Sequence, residues 1–188
     1  MNVARHVTME ELEAGLDEIR RSPNDEGVLK MIVRRPRSNE REMLDEGELD
    51  PGEGLVGDSW KHRGSSRSSN RPPNPDTQLN VMNSRVIALV ARDTDRWCLA
   101  GDQLFVDLDL SAENLPAGTR LALGSAVIEV AAPPHTGCRK FGERFGLDAV
   151  NFVNSPLGRQ LHLRGINARV VRAGVIRVGD PVKKTLDA

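Results

Sequence analysis

The chain reads as a mainly β protein, a barrel or sandwich of short strands with a few helices at its edges. Two observations predict this. From Phe105 to Val182 the runs FVDLDL, TRLALG, SAVIEVAA, QLHLRG, NARVVRAG and VIRVGDPV are short, alternating or β-branched, and are separated by LPAG, PP, RG and AG turns. Helical patterns are brief by comparison and fall at the N-terminus and around residues 139–154.

Taken in order, Thr8 and Glu11 form a capping-box pattern. Met9, Leu12, Leu16 and Ile19 then recur at helical spacing until Ser22-Pro23 ends the run. This predicts an amphipathic helix over 9–21 with a narrow apolar stripe, suited to packing on the outside of a domain. VLKMIVRR at 28–35 is rich in β-branched residues and stops at Pro36, which predicts the first strand. A second strand is expected within the charged stretch 40–50, before the Pro51-Gly52-Glu53-Gly54 turn and the Gly57-Asp58 turn step. Residues 63–76, RGSSRSSNRPPNPD, hold no apolar residue except proline and predict a surface loop or an arginine-bearing flap. Gln78 to Met82 predicts a short strand, with Asn83 or Ser84 capping a helix through Ala91.

At 188 residues the chain is long enough for a substantial core. It divides into an N-terminal helical extension at 1–27 and a β domain at 28–188. Cys98 and Cys138 lie in unlike surroundings and do not resemble a disulfide framework, so a reducing compartment is expected, the cytoplasm by default. No apolar run approaches the roughly eighteen residues of a membrane span, and the N-terminus lacks the apolar core of a secretory signal. A chain with no tyrosine and few other aromatics lacks stacking platforms for nucleic acid, and its net charge of −1 adds no support for that partner. No Walker sequence or CxxC pair occurs, so neither that phosphate cradle nor a zinc cluster has support.

The near-neutral total hides a division. Residues 135–177 carry eight Arg or Lys against Glu143 and Asp148, a net of +6, which leaves −7 for the remainder. In that basic block PPHTGCRKFGERFG places Cys138 at a stiff, turn-rich helix entry, since proline fixes φ and glycine reaches conformations closed to other residues. Phe141 and Phe145 follow on one helical face. Helix-start amides, Arg139, Lys140, Arg144 and His135 would all favour the thiolate, which is the nucleophile and the metal ligand. Cys98, beside Trp97 and Leu99, reads as a small core residue. Arginines in such a block also suit a compact anion, with Arg139, Lys140, Arg144 and Arg169 as candidates for a phosphate.

GLVGDSW at 54–60, AGDQLFVDLDLSAENLPAGTRLALGSAVIEV at 100–130, HTGCRKF at 135–141 and RVVRAGVIRVGDPV at 169–182 together resemble the MOSC domain family, in order and in spacing. The resemblance covers about residues 28–183. It implies a closed MOSC-type β-barrel with short peripheral helices. It makes Cys138 the signature cysteine, used in relatives to carry sulfur as a persulfide or to coordinate molybdenum in the molybdenum cofactor (molybdopterin). By the same resemblance His135 and Asp58 join the basic residues as cofactor-binding candidates, and a cysteine desulfurase or another redox or sulfur-transfer partner is implied. Many relatives place a histidine two residues after the Gly-Asp pair, where this chain has Trp60, with His62 further on. The chain reads as a stand-alone member, so pyridoxal phosphate, held in relatives by an aminotransferase-like domain, is not expected here. Three functions follow: a molybdenum-cofactor-related or sulfur-carrier protein, a molybdenum-dependent reductase of N-hydroxylated compounds, or a non-catalytic partner-binding module. The contrasting thiols set a first test. Native protein at neutral pH is expected to lose Cys138 to iodoacetamide much faster than Cys98, and equal rates would remove the case for an activated thiol.

Overall fold

Residues 5–62 and 72–185 are described by the structure, a computed structural model. In chain order its elements are α1 (Met9–Ala14), α2 (Leu16–Arg20), β1 (Glu26–Arg34), β2 (Glu42–Leu44), β3 (Glu46–Asp50), β4 (Gly54–Leu55), β5 (Leu79–Asn83), α3 (Ser84–Ala91), β6 (Leu104–Asp107), β7 (Arg120–Leu123), β8 (Ala126–Pro134), α4 (Arg139–Phe145), α5 (Leu147–Asn154), α6 (Pro156–Gln160), β9 (Ile166–Arg172), β10 (Gly174–Arg177) and β11 (Pro181–Thr185). Short 3-10 turns occupy Ser59–His62, Pro75–Thr77 and Thr94–Ala100.

Strand alternation produces the architecture. Leu104 and Val106 of β6 and Ile166, Ala168 and Val170 of β9 point to one apolar interior, with Ile128 of β8, Leu121 of β7 and Val182 of β11. Seven strands enclose it in the cyclic order β1-β11-β7-β8-β9-β5-β6, closed by the β1–β11 pairing at Gly27↔Val182. Among the described residues only β5 and β6 pair in parallel, and a parallel pair needs a long crossover. That crossover contains α3 and the 94–100 turn. A smaller sheet, β10-β3-β4, lies beside the barrel.

β1 serves two cores through one irregularity. Its register against β6 shifts between Leu29 and Met31. A bulge of this kind resets the period-2 pattern. Leu29 and Ile32 therefore face the barrel interior while Met31 and Val33 face a second core under the helices. That second core collects Leu12, Ile19, Met82, Val86, Phe105, Phe141, Phe145 and Phe152. Each fully buried aliphatic or aromatic side chain is worth about 1.5–3 kcal/mol, against roughly 0–1 for an exposed ion pair. The two apolar cores therefore dominate stability.

The capping box at Thr8 is present in both directions: Thr8 Oγ1 accepts from the Glu11 amide at 3.3 Å and the Glu11 carboxylate accepts from the Thr8 amide at 2.9 Å. The helix expected over 9–21 is broken into α1 and α2 at Gly15, where a Cβ would sit 2.5 Å from Leu89 Cδ2 of α3. The stretch 40–50 contains two strands rather than one. β2 pairs with β1, and β3 pairs with β10 and β4, so the chain changes sheet at Asp45, whose carbonyl accepts from Val178 N. QLHLRG at 160–165 is not a strand. Ser155 caps α6 by accepting from Gly158 N at 2.9 Å, and the chain then folds back through His162, at φ 47°, with Gly165 N donating to His162 O at 2.7 Å. The flap expected at 63–76 lies outside the described residues over 63–71. Among the described residues no helix is long and apolar enough to cross a membrane.

Asn83 joins the two cores. Its Oδ1 accepts from Arg85 N at 2.8 Å to cap α3, and its Nδ2 donates to Ser22 Oγ and Leu108 O, both at 2.8 Å. Asn83→Ala removes a cap worth about 1 kcal/mol and strands a buried carbonyl at about 1–3 kcal/mol. A loss of roughly 2–4 kcal/mol in urea unfolding is expected on that sum; a loss well under the cap value alone would refute this account.

Candidate functional site

Two side-chain amides pin the loop that carries Cys138. Asn167 Nδ2 donates to Pro133 O at 2.9 Å. Asn154, at the end of α5, accepts from Gly137 N at 2.8 Å through Oδ1 and donates to Gly137 O at 3.0 Å through Nδ2. Beyond this clasp Cys138 is the N-cap of α4; its backbone is extended, its side chain makes no cap hydrogen bond and the residue is exposed. The helix is fixed from below by Phe141 and Phe145, both buried, with ring centroids 4.9 Å apart, and by the Arg164 guanidinium 4.8 Å from the Phe141 centroid.

A buried polar layer lies next to this loop. Asp102, fully buried, accepts from Arg164 Nη1 at 2.7 and 2.9 Å and meets His135 Nε2 at 3.0 Å. Burial alone would raise the Asp102 carboxyl, but the Arg164 charge and the His135 bond outweigh it and hold it at about 2. Burial pushes His135 down, helped by the Arg164 and Arg35 charges and opposed by Asp102, so the imidazole is neutral at pH 7. A second pair repeats the pattern. Arg35 Nε and Nη2 donate to the two oxygens of Asp58 at 2.9 and 3.0 Å, and the Arg35 and Trp60 amides donate to the same carboxylate. Burial would raise Asp58 as well, and the Arg35 guanidinium instead holds it below its ordinary range. Arg35 Nη1 reaches Asn80 Oδ1 at 3.2 Å, and Asn80 Nδ2 donates to Asn167 Oδ1 at 2.7 Å. The layer is thereby tied to the Cys138 loop.

Four arginines meet at the end of the 94–100 turn, where four consecutive carbonyls would otherwise lack donors. Arg41 Nε donates to Cys98 O at 3.2 Å and Arg144 Nη1 to Leu99 O at 2.5 Å. Arg164 Nη2 donates to Ala100 O at 2.9 Å and Arg35 Nη1 to Gly101 O at 2.7 Å. Asp58 pairs with Arg35 and Asp102 with Arg164. Gly101, at φ 90°, is bordered by two of the four guanidinium groups: a Cβ on it would lie 3.9 Å from Arg41 Nη2 and 4.0 Å from Arg144 Nη1.

The residues singled out in sequence are dispersed among different partners. His135 enters the polar layer beside the Cys138 loop. Arg144 is spent on Leu99 O, Arg139 is exposed and pairs with Glu143 at 3.5 Å, and Lys140 has no ion pair among the described residues. Arg169 lies on β9, paired with Glu129 at 2.5 Å and Asp76 at 3.5 Å. Asp58 is locked under Arg35. Cys98 is half-buried against the second core, and burial raises its thiol against the opposing Arg41 and Arg144 charges. Sequence reasoning passed over Arg35, Arg41, Asp102, Arg164, Asn80 and Asn154. One signal was available for Asp102: it follows glycine in AGDQLFV, as Asp58 does in VGDSW, and an acid entering an apolar run needs a buried cation. Gly52, Gly54 and Gly57 are spaced GxGxxG, but they fall across and just after the β3–β4 turn, and the segment that follows in the described residues is the short 3-10 turn Ser59–His62 rather than the α-helix a dinucleotide loop opens into.

The family model for the MOSC domain matches residues 74–183. No protein of curated function matches the chain. Among solved structures, the YuaD protein of Bacillus subtilis is similar at 18% identity and TM-score 0.62, over 85% of this chain and 95% of that one. YiiM of Escherichia coli is similar at 18% identity and TM-score 0.56, over 86% of this chain and 71% of that one. YiiM of Geobacillus stearothermophilus has 14% identity and TM-score 0.51, over 85% and 73% of the two chains. These likenesses concern the fold.

The Asp102–His135 pair makes stability pH-dependent with one sign. Both groups have folded pKa values below their unfolded ones, so the unfolded state binds more protons and acid destabilises the fold. His135 gives up its share as pH falls below about 6.5, and Asp102 gives up about 2 kcal/mol between about pH 4 and pH 2. In His135→Gln the slope of unfolding free energy between pH 7 and 5 should flatten; an unchanged slope would contradict this assignment.

Proposed function

The chain belongs to the MOSC domain family, whose members are tied to the molybdenum cofactor, and on that footing we propose that Cys138 is its working thiol, carrying sulfane sulfur. The observation that supports this reading is the exposed, uncommitted Cys138 sulfur on a loop clasped through Gly137 by Asn154. A rigid, solvent-facing thiol suits exchange with a partner protein, because the attacking sulfur must reach a donor sulfur it does not itself bind. The Cys138 thiolate attacks the terminal sulfur of a donor persulfide; the donor S–S bond breaks, the donor leaves as a thiolate, and a new S–S bond forms on Cys138. No net oxidation or reduction occurs. A cysteine desulfurase is the class of donor, and a reducing compartment such as the cytoplasm is where Cys138 stays free between cycles.

The residues also fit the molybdenum cofactor, which when bound supplies two-electron redox chemistry at its metal. Cys138 offers a thiolate for the metal. The guanidinium groups of Arg144 and Arg41, which border Gly101, would face an anionic group. Arg164 Nε, buried without a partner among the described residues, is a further donor in the same layer. This second reading includes reduction of N-hydroxylated compounds.

The test is sulfur loading. Incubated with a cysteine desulfurase and cysteine, the protein is expected to take up stoichiometric cyanide-releasable sulfur, retained in Cys98→Ala and lost in Cys138→Ala. Sulfur loading unchanged in Cys138→Ala would overturn the proposal. Stoichiometric molybdenum in protein from a cofactor-making host, with no sulfur loading, would replace carriage by cofactor ligation.

A further inference from the structure

A cleft of about 300 Å³ opens beside the Cys138 loop, lined by neither Cys138 nor any of the four arginines. Leu115, Pro116, Val130, Pro133 and Ile166 make its walls largely apolar, and His135 and His162 are its titratable side chains. The volume is at the lower end for small-molecule sites.

Each imidazole has its tautomer set by its bound nitrogen. His135 Nε2 lies 3.0 Å from an ionised Asp102 oxygen, which can only accept, so Nε2 carries the proton and Nδ1 keeps its lone pair. His162 Nδ1 lies 2.7 Å from the Leu110 carbonyl, which also only accepts, so the lone pair of His162 is on Nε2. Neither of these lone-pair nitrogens has a protein partner among the described residues. Asn167, which also lines the cleft, has its side-chain oxygen on Asn80 and its nitrogen on Pro133 O. His162 has φ 47°, a left-handed conformation that costs on the order of 1 kcal/mol for a residue with a side chain. Such strain persists where the surroundings impose it, here the Gly165 N to His162 O bond and the anchored ring.

The charged groups facing His135 are Asp102, Arg164 and Arg35, all within the buried layer. The residues that line the cleft therefore include two imidazoles with an acceptor nitrogen to spare and a largely apolar remainder, with no carboxylate for a cation and no guanidinium for an anion. We propose that it binds a compact, uncharged molecule with an apolar body and an N–H or O–H group, which donates to His135 Nδ1, with His162 Nε2 as a second acceptor. This site stands apart from the sulfur chemistry of Cys138.

The experiment uses phenol and pyrazole as minimal donors, with anisole and N-methylpyrazole as counterparts of similar size that lack the donor. Nitrogen-15 spectra of the histidine rings in the full chain should show saturable shifts of His135 Nδ1 and His162 Nε2 with millimolar phenol or pyrazole. The methylated counterparts should bind at least about tenfold more weakly, because a site built around a hydrogen bond rejects ligands that cannot make it. Ala117→Phe, an exposed position on the cleft wall that touches neither imidazole's anchor, should fold normally and abolish the shifts. Equal response to phenol and anisole, absence of saturable ring shifts, or shifts that survive Ala117→Phe would each overturn the proposal. The measurement needs nothing bound to Cys138, so its failure leaves sulfur carriage untouched, and failure of sulfur loading leaves the cleft untouched.

Discussion

Two guanidinium groups at the end of the barrel cannot be buried unpaired, and much of the site follows from that constraint. Arg35 and Arg164 are 6% and 4% exposed. A buried cation without its partner costs several kcal/mol, and removing one member of such a pair typically costs 3–5 kcal/mol. Asp58 and Asp102 meet the requirement, and each Arg–Asp pair has hydrogen-bonding capacity left over. Arg35 and Arg164 spend it on the carbonyls of Gly101 and Ala100, and Asp102 spends it on His135. Burial keeps the histidine next to the Cys138 loop neutral, and the same charges act on it as well, Arg164 and Arg35 with burial and Asp102 against it. Structural and chemical roles cannot be separated there by mutating one residue.

The thiol loop borrows its rigidity from elements distant in sequence. Asn154 reaches it from α5 and Asn167 from β9, while Phe141 and Phe145 fasten the helix that follows. Amide side chains suit this task, since each offers a donor and an acceptor and can satisfy both backbone groups of one residue, as Asn154 does for Gly137. The loop can thus present an exposed sulfur without being loose.

What could be read from the sequence divides along the same line. The barrel was legible because period-2 alternation and turn residues act locally, and Thr8, Asn83 and Cys138 were legible as helix starts for the same reason. The break at Gly15 was not, since it depends on Leu89 of α3 pressing against it. The sheet change at Asp45 was hidden by the brevity of β2 and β3. QLHLRG alternates like a strand, but Ser155 and Pro156 had already committed the chain to a helix and a tight return. The basic block was visible as charge, yet its targets were not. Arg144 and Arg164 bond to backbone carbonyls, which leave no trace in residue identity, and Arg41 and Arg35 come from outside the block altogether. Local rules placed Cys138 at a helix start, and only tertiary structure shows which carbonyls the arginines bond.

Closure of the barrel by its first and last strands has a kinetic consequence. Val28 pairs with Pro181, so the contact that joins the edges of β1 and β11 spans one of the largest sequence separations among the described strands. Loop-closure entropy must be met before such a contact is rewarded, which makes it a late event in folding. During synthesis β1 would wait with an unpaired edge until β11 emerges. An unpaired strand edge is a template for the wrong neighbour, so the vulnerable species is the chain before β11 has emerged rather than the folded barrel. Lys183 and Glu26, facing each other across the seam at 3.0 Å, place charge on both waiting edges and make each a poorer match for a second copy of itself.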